Sequence, residues 1–176
     1  MEPGRNNTVG TRDLLATAYT GPVKVTTLEF GECPVRVVRP ADPDRLLDDP
    51  MVWDRNKRDD YMPYWAYLWP GACLLSEVVA RETWPARGDE REPLRVLEIG
   101  CGVGLAGLVA LSRGIRVDFT DYDQAPLHFV AQSVRENGFD PARYTTRLLD
   151  WRDLPDETYP IILGSDVLYE IGRAHV

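Results

Sequence analysis

The chain has 176 residues, 44% hydrophobic and 27% charged, with a formal net charge of -8. That length suits one domain with a real core, and no apolar run is long enough to cross a bilayer, so a cytoplasmic protein with no membrane partner is expected. The acidic balance repels phosphate backbones and disfavours nucleic acid, and two histidines with three scattered cysteines (Cys33, Cys73, Cys101) leave no metal site to expect.

Residues 1–20 carry Gly, Asn, Thr and Arg with little periodicity and read as a flexible tail. The β-rich runs Val23–Phe30 and Val35–Val38, separated by Gly31-Glu32, predict a β-hairpin. Pro40, Pro43 and Pro50, interleaved with aspartates, mark a linker reaching residue 60, with room for one short helix. Its basic run Arg55-Asn56-Lys57-Arg58 is bracketed by Asp54, Asp59 and Asp60 and reads as a solvated loop. Tyr61 to Pro70 is unusually aromatic. Tyr61, Tyr64, Trp65 and Tyr67 could line an acceptor entrance, but such density at a strand–helix junction reads first as core. Pro70 is placed to open a helix with Leu74, Leu75, Val78 and Val79 on one face, ending before Pro85.

From residue 94 the pattern alternates strand and helix. Leu94–Ile99 predicts a strand followed by glycines at 100, 102, 104 and 107. Leu105–Leu111 predicts a short helix ended by Gly114, and Ile115–Thr120 a second strand. Residues 123–137 predict a helix with Gly138 past its end, then Tyr144–Leu149 and Tyr159–Leu163 two further strands. Such alternation implies a parallel sheet flanked by helices, with ligands beyond the carboxyl ends of its strands.

Those ends carry the candidate chemistry. Gly100, Cys101, Gly102 and Gly104 form a turn whose backbone can approach a ligand closely, or a tight turn and nothing more. Gly102-Val103-Gly104-Leu105-Ala106-Gly107 spells the dinucleotide pattern GxGxxG, but the strand ends two residues too early for it. Glu98, just before the loop, would repel a pyrophosphate and suits a cationic ligand better. S-adenosyl-L-methionine, with an ammonium and a sulfonium, meets that requirement. Asp121, ending the second strand, can accept from both hydroxyls of a ribose, which either ligand offers, while Asp123 is placed to cap the next helix. Asp150-Trp151 after the third strand pairs an acceptor with an indole, which suits adenine; equally, Trp151 could cover the sheet edge.

Taken in order, Leu68-Trp69-Pro70, the Val96–Leu105 segment, Thr120-Asp121, Leu149-Asp150-Trp151 and the Gly164–Tyr169 segment resemble the seven-stranded class I S-adenosylmethionine-dependent methyltransferases. The likeness is closest to their protein-lysine methyltransferase-like branch. It implies that Trp69, Gly100, Cys101, Gly102, Asp121, Trp151 and Ser165 line the donor pocket. It also implies that Asp166 orients or accepts from an ammonium while Tyr169 hydrogen-bonds at the reaction centre. The residue reading adds Glu98, Gly104 and Asp150 to the donor contacts. The segment Ser165–Tyr169 lacks the paired prolines common where amides or base amines are methylated, which points to a protein lysine or small-molecule amine acceptor. The alternatives are a nicotinamide-dependent oxidoreductase and a non-catalytic Rossmann-like binding module.

The expected fold is a Rossmann-like α/β parallel sheet with an N-terminal β-hairpin, C-terminally truncated to four of seven core strands. The methyltransferase domain would span 61–170, after a hairpin and linker over 21–60. Residues 171–176 match the translation of a common sequencing adapter and are expected to be a non-native read-through.

Overall fold

Gly31, at φ 55, folds Val23–Phe30 (β1) back onto Cys33–Pro40 (β2) as an antiparallel pair, with Phe30 opposite Cys33. The computed structural model describes residues 19, 21–84, 94–150 and 156–167. After β2 come a 3-10 turn over Pro43–Asp48 and two helices, Pro50–Asp59 (α1) and Pro70–Arg81 (α2). Then strand and helix alternate: Arg95–Glu98 (β3), Leu105–Ser112 (α3), Arg116–Asp121 (β4), Gln124–Glu136 (α4), Tyr144–Leu148 (β5) and Ile161–Leu163 (β6). The second sheet is parallel, in the order β5-β4-β3-β6, which is the predicted α/β architecture with its hairpin.

All residues of α3 from Leu105 to Leu111 are buried, so this helix is the centre of the molecule rather than a surface element. It packs against α2, β4 and β2, and Val35 and Val37 of the hairpin join Val96, Val117 and Phe119 of the sheet in one core. The hairpin is held by side chains of α4 that complete the outer edge of β2. Asn137, just past α4, accepts from the Arg36 N–H at 2.8 Å and donates to its carbonyl at 2.6 Å, and Ser133 accepts from the Val38 N–H at 2.9 Å. Backbone groups that would otherwise form an open strand edge are thereby satisfied.

Two expectations fail. The Arg55–Arg58 run is not a loop but the C-terminal half of α1. Asp49 caps that helix by accepting from the Met51 N–H at 2.8 Å, Pro50 opens it, and Asp60 closes it at φ 56. In α2, Leu74 and Val78 do not share the buried face; they are 71% and 59% exposed. The packed stripe is Ser76, Val79 and Ala80, whose small side chains let α3 approach, and the Ser76 hydroxyl is satisfied by the Ala72 carbonyl at 2.7 Å. Among the described residues no helix is long and apolar enough to cross a membrane.

Candidate functional site

The turn after β3 holds Gly100, Gly102 and Gly104 at φ 56, 51 and 78. Gly102 needs its freedom twice over. Its φ is left-handed, and a Cβ there would lie 3.2 Å from the carbonyl oxygen of Trp65, which crosses over the turn. Asp121, the last residue of β4, is 8% exposed and faces the same turn. Its Oδ2 accepts from the Gly102 N–H at 2.9 Å and its Oδ1 from the Asp123 N–H at 3.0 Å. Burial pushes its carboxyl up to about 6, against the pull of these backbone donors. Burial likewise pushes the Cys101 thiol up.

A cavity of about 530 Å³ opens over this turn. It brings together Trp69, Gly100, Cys101, Gly102, Asp121, Asp150, Ser165 and Asp166 from the predicted set. Trp151 and Tyr169 lie outside the described residues. Glu98 and Gly104 are not among the lining residues. Gly104 opens α3, and a Cβ there would meet Val130 at 2.7 Å. Glu98 is 4% exposed and turns beneath α3, where its Oε2 accepts from the Gly107 N–H at 3.1 Å. Burial pushes its carboxyl up to about 8. In this structure the Glu98 carboxylate braces the helix from beneath, on the strand face it shares with the buried Val96.

The aromatic segment is a wall. Tyr61 is buried, Tyr64, Trp65 and Tyr67 are half-buried, and all four line the cavity rather than filling a core. Trp69 is oriented by its Nε1–H, which donates to the Tyr64 carbonyl at 2.8 Å, and by the Tyr64 ring, edge-on at 5.8 Å. Asp166 sits at φ 55 and caps a helix 94 residues away: its Oδ2 accepts from the Ala72 N–H at 3.1 Å. The N-cap residue of α2, Trp69, contributes no such bond. Gly71 makes room, since a Cβ there would lie 2.4 Å from Asp166 Oδ2.

Asp123 caps α4 as the sequence predicts, accepting from the Ala125 N–H at 3.3 Å. It also does what no spacing in the sequence signals. Its Oδ2 accepts from the Tyr61 hydroxyl and from Arg55 Nη1, the latter at 3.3 Å, and the Arg55 guanidinium lies 3.5 Å from the Tyr61 ring centroid. Electrostatically the cavity lining is acidic, with Asp123 paired to Arg55 behind the wall. Asp60, Asp121, Asp123, Asp150 and Asp166 line it, and no Lys, Arg or His is among its described lining residues.

A family model described as lysine methyltransferase matches residues 52–174. The protein N-lysine methyltransferase METTL21A of Xenopus tropicalis is 34% identical over 108 residues, 59% of this chain and 47% of that protein. The histidine protein methyltransferase 1 homolog of Dictyostelium discoideum is 41% identical over 83 residues, 44% of this chain and 27% of that protein. The histone-arginine methyltransferase METTL23 of Rattus norvegicus is 31% identical over 119 residues, 62% of this chain and 49% of that protein. The chain thus spans about half or less of the length of these curated relatives.

Proposed function

The chain belongs to the lysine methyltransferase family, and from that premise we propose that it moves a methyl group from S-adenosylmethionine to a lysine side chain of a protein. The observation that carries the reading is the buried Asp121 carboxylate held against the glycine turn at the wall of a cavity with no basic side chain among its described lining residues. The cavity volume of about 530 Å³ lies within the usual small-molecule range of roughly 300–1,000 Å³. An ionised carboxylate has about four acceptor positions, so Asp121 retains capacity for ribose hydroxyls beyond its backbone bonds. Gly100, Cys101 and Gly102 would give the ligand close backbone contact, with Trp69, Asp150 and Ser165 around it.

When bound, the donor supplies an electrophilic methyl on a sulfonium. The acidic lining, beyond the Asp123 carboxylate that Arg55 pairs, favours a cationic donor and draws a basic acceptor inward. Asp166, with one oxygen on α2, orients the incoming amine with the other and takes up the proton the amine must lose. A dinucleotide reading is weaker on physical grounds. The Gly107 N–H near the start of α3, a donor of the kind a pyrophosphate would use, is already engaged by Glu98. The acidic lining would oppose that anion as well.

Relatives named for histidine and arginine methylation make the acceptor a matter for direct test. The test is transfer of labelled methyl from the donor to a protein extract, followed by amino-acid analysis. Label on lysine supports the proposal. Label confined to arginine or histidine overturns its acceptor, and no donor-dependent label overturns the activity.

A further inference from the structure

Tyr61 and Arg55 lie 62 and 68 residues from Asp123, yet both converge on its carboxylate. That carboxylate is buried, and its two oxygens divide the work: Oδ1 caps α4, while Oδ2 serves Tyr61 and Arg55. The backbone of Asp123 in turn donates to Asp121 Oδ1, one of the backbone bonds that orient the Asp121 carboxylate, beside those from Gly102 and Tyr122. We infer that Tyr61 and Arg55 are positioning residues for the donor, acting through Asp123 to hold Asp121 where it receives the ribose hydroxyls. The inference rests on the reading of this cavity as the donor site.

The surroundings of Tyr61 support such a role. Tyr61 and Trp65 line the cavity described above and also a second one of about 440 Å³ on the side of Arg45, Leu46 and Met51. They therefore separate the two cavities, and hydrogen bonds add to the packing of the Trp65 ring on Phe129, 5.5 Å between centroids, in setting their position. The Tyr61 hydroxyl donates to Asp123 and accepts from Trp65 Nε1 at 3.2 Å, and Arg55 covers the Tyr61 ring while its Nη2 donates to the Tyr122 hydroxyl at 3.3 Å. The same segment brings the Trp65 carbonyl against Gly102, which donates to the other oxygen of Asp121. The Asp123 and Gly102 bonds to Asp121 thus both abut this one network.

A stabilising role alone would lower the melting temperature and leave donor affinity uncoupled to Asp121. A positioning role makes the two substitutions non-additive in binding. The experiment is calorimetric titration of S-adenosylhomocysteine into the wild-type chain, Tyr61→Phe, Asp121→Asn and the double variant. Tyr61→Phe keeps the ring beneath Arg55 and removes only the hydroxyl. It is expected to weaken binding by about threefold to tenfold. The double variant is expected to bind no more weakly than Asp121→Asn alone. Full multiplication of the two losses, or unchanged binding by Tyr61→Phe, overturns the inference while leaving the donor site standing. Absence of binding by the wild-type chain overturns the donor reading and this inference with it. Arg55→Gln gives the same cycle with the Tyr61 hydroxyl intact, should Tyr61→Phe fail to fold.

Discussion

Replacing Asp166 separates its bond to α2 from its proposed work on the amine. Two structural facts set the magnitude: Asp166 Oδ2 accepts from the Ala72 N–H at 3.1 Å, and its backbone is left-handed at φ 55. Loss of a helix cap costs about 0.5–2 kcal/mol, and the bond is solvent-exposed, so about 1 kcal/mol is the expected share. Alanine adds about 1 kcal/mol for a left-handed backbone that Asp and Asn tolerate. Asp166→Ala should therefore destabilise by about 2 kcal/mol, or roughly 4–8 °C in melting temperature for a chain of this size. Asp166→Asn keeps both the acceptor and the tolerance and should stay within about 0.5 kcal/mol of wild type. Asp166→Gly should fall between them, losing the cap but not the backbone fit. Urea and thermal unfolding followed by circular dichroism rank the three. Equal losses for Asn and Ala, or no loss for Ala, would refute the capping argument. With stability preserved, Asp166→Asn should still lower methyl transfer, since the amide cannot take a proton from the amine.

Other consequences can be measured on the same protein. Gly71→Ala should reproduce the instability of Asp166→Ala, because its Cβ would lie 2.4 Å from the Asp166 carboxylate oxygen, and combining the two should add little. Burial pushes Glu98 up to about 8 and Asp121 up to about 6. Both groups hold protons in the fold that the unfolded chain has already lost above its ordinary carboxyl values, so wild-type stability should fall as pH rises from about 4.5 to 8. Glu98→Gln should flatten that slope while its amide oxygen still accepts from Gly107; a wild-type urea midpoint that climbs through this window contradicts the assignment. Asn137→Ala removes two bonds to Arg36 and should speed hydrogen exchange at the amides of Arg36 and Val38, leaving those of β3 and β4 protected.

The parallel sheet and the helices α3 and α4 were legible because apolar runs of strand and helix length are punctuated there by glycine. A short helix before residue 60 was legible as a possibility, but not that it takes in the Arg55–Arg58 run, because its interior is largely polar and its signal lies at its ends, in Asp49-Pro50 and Asp60. The periodicity of α2 was legible, but which stripe is buried depends on the approach of α3, and Ser76 and Ala80 admit it where Leu74 and Val78 would not. The bond from the Gly107 N–H to Glu98 was not legible, because both faces of β3 are buried and the sequence does not say which one α3 covers. The aromatic run could be core or wall until the cavity decided between them. Asp166 on Ala72 and Asp123 on Tyr61 and Arg55 are contacts across 62 to 94 residues, and no local pattern encodes them.

Titration of S-adenosylhomocysteine and of NAD into this chain and its Asp121→Asn variant bears most directly on the cavity's ligand. Saturable one-to-one binding of the adenosyl compound, weakened in the variant and absent for NAD, is the predicted result. Comparable binding of NAD, or binding of the adenosyl compound indifferent to Asp121, would contradict it.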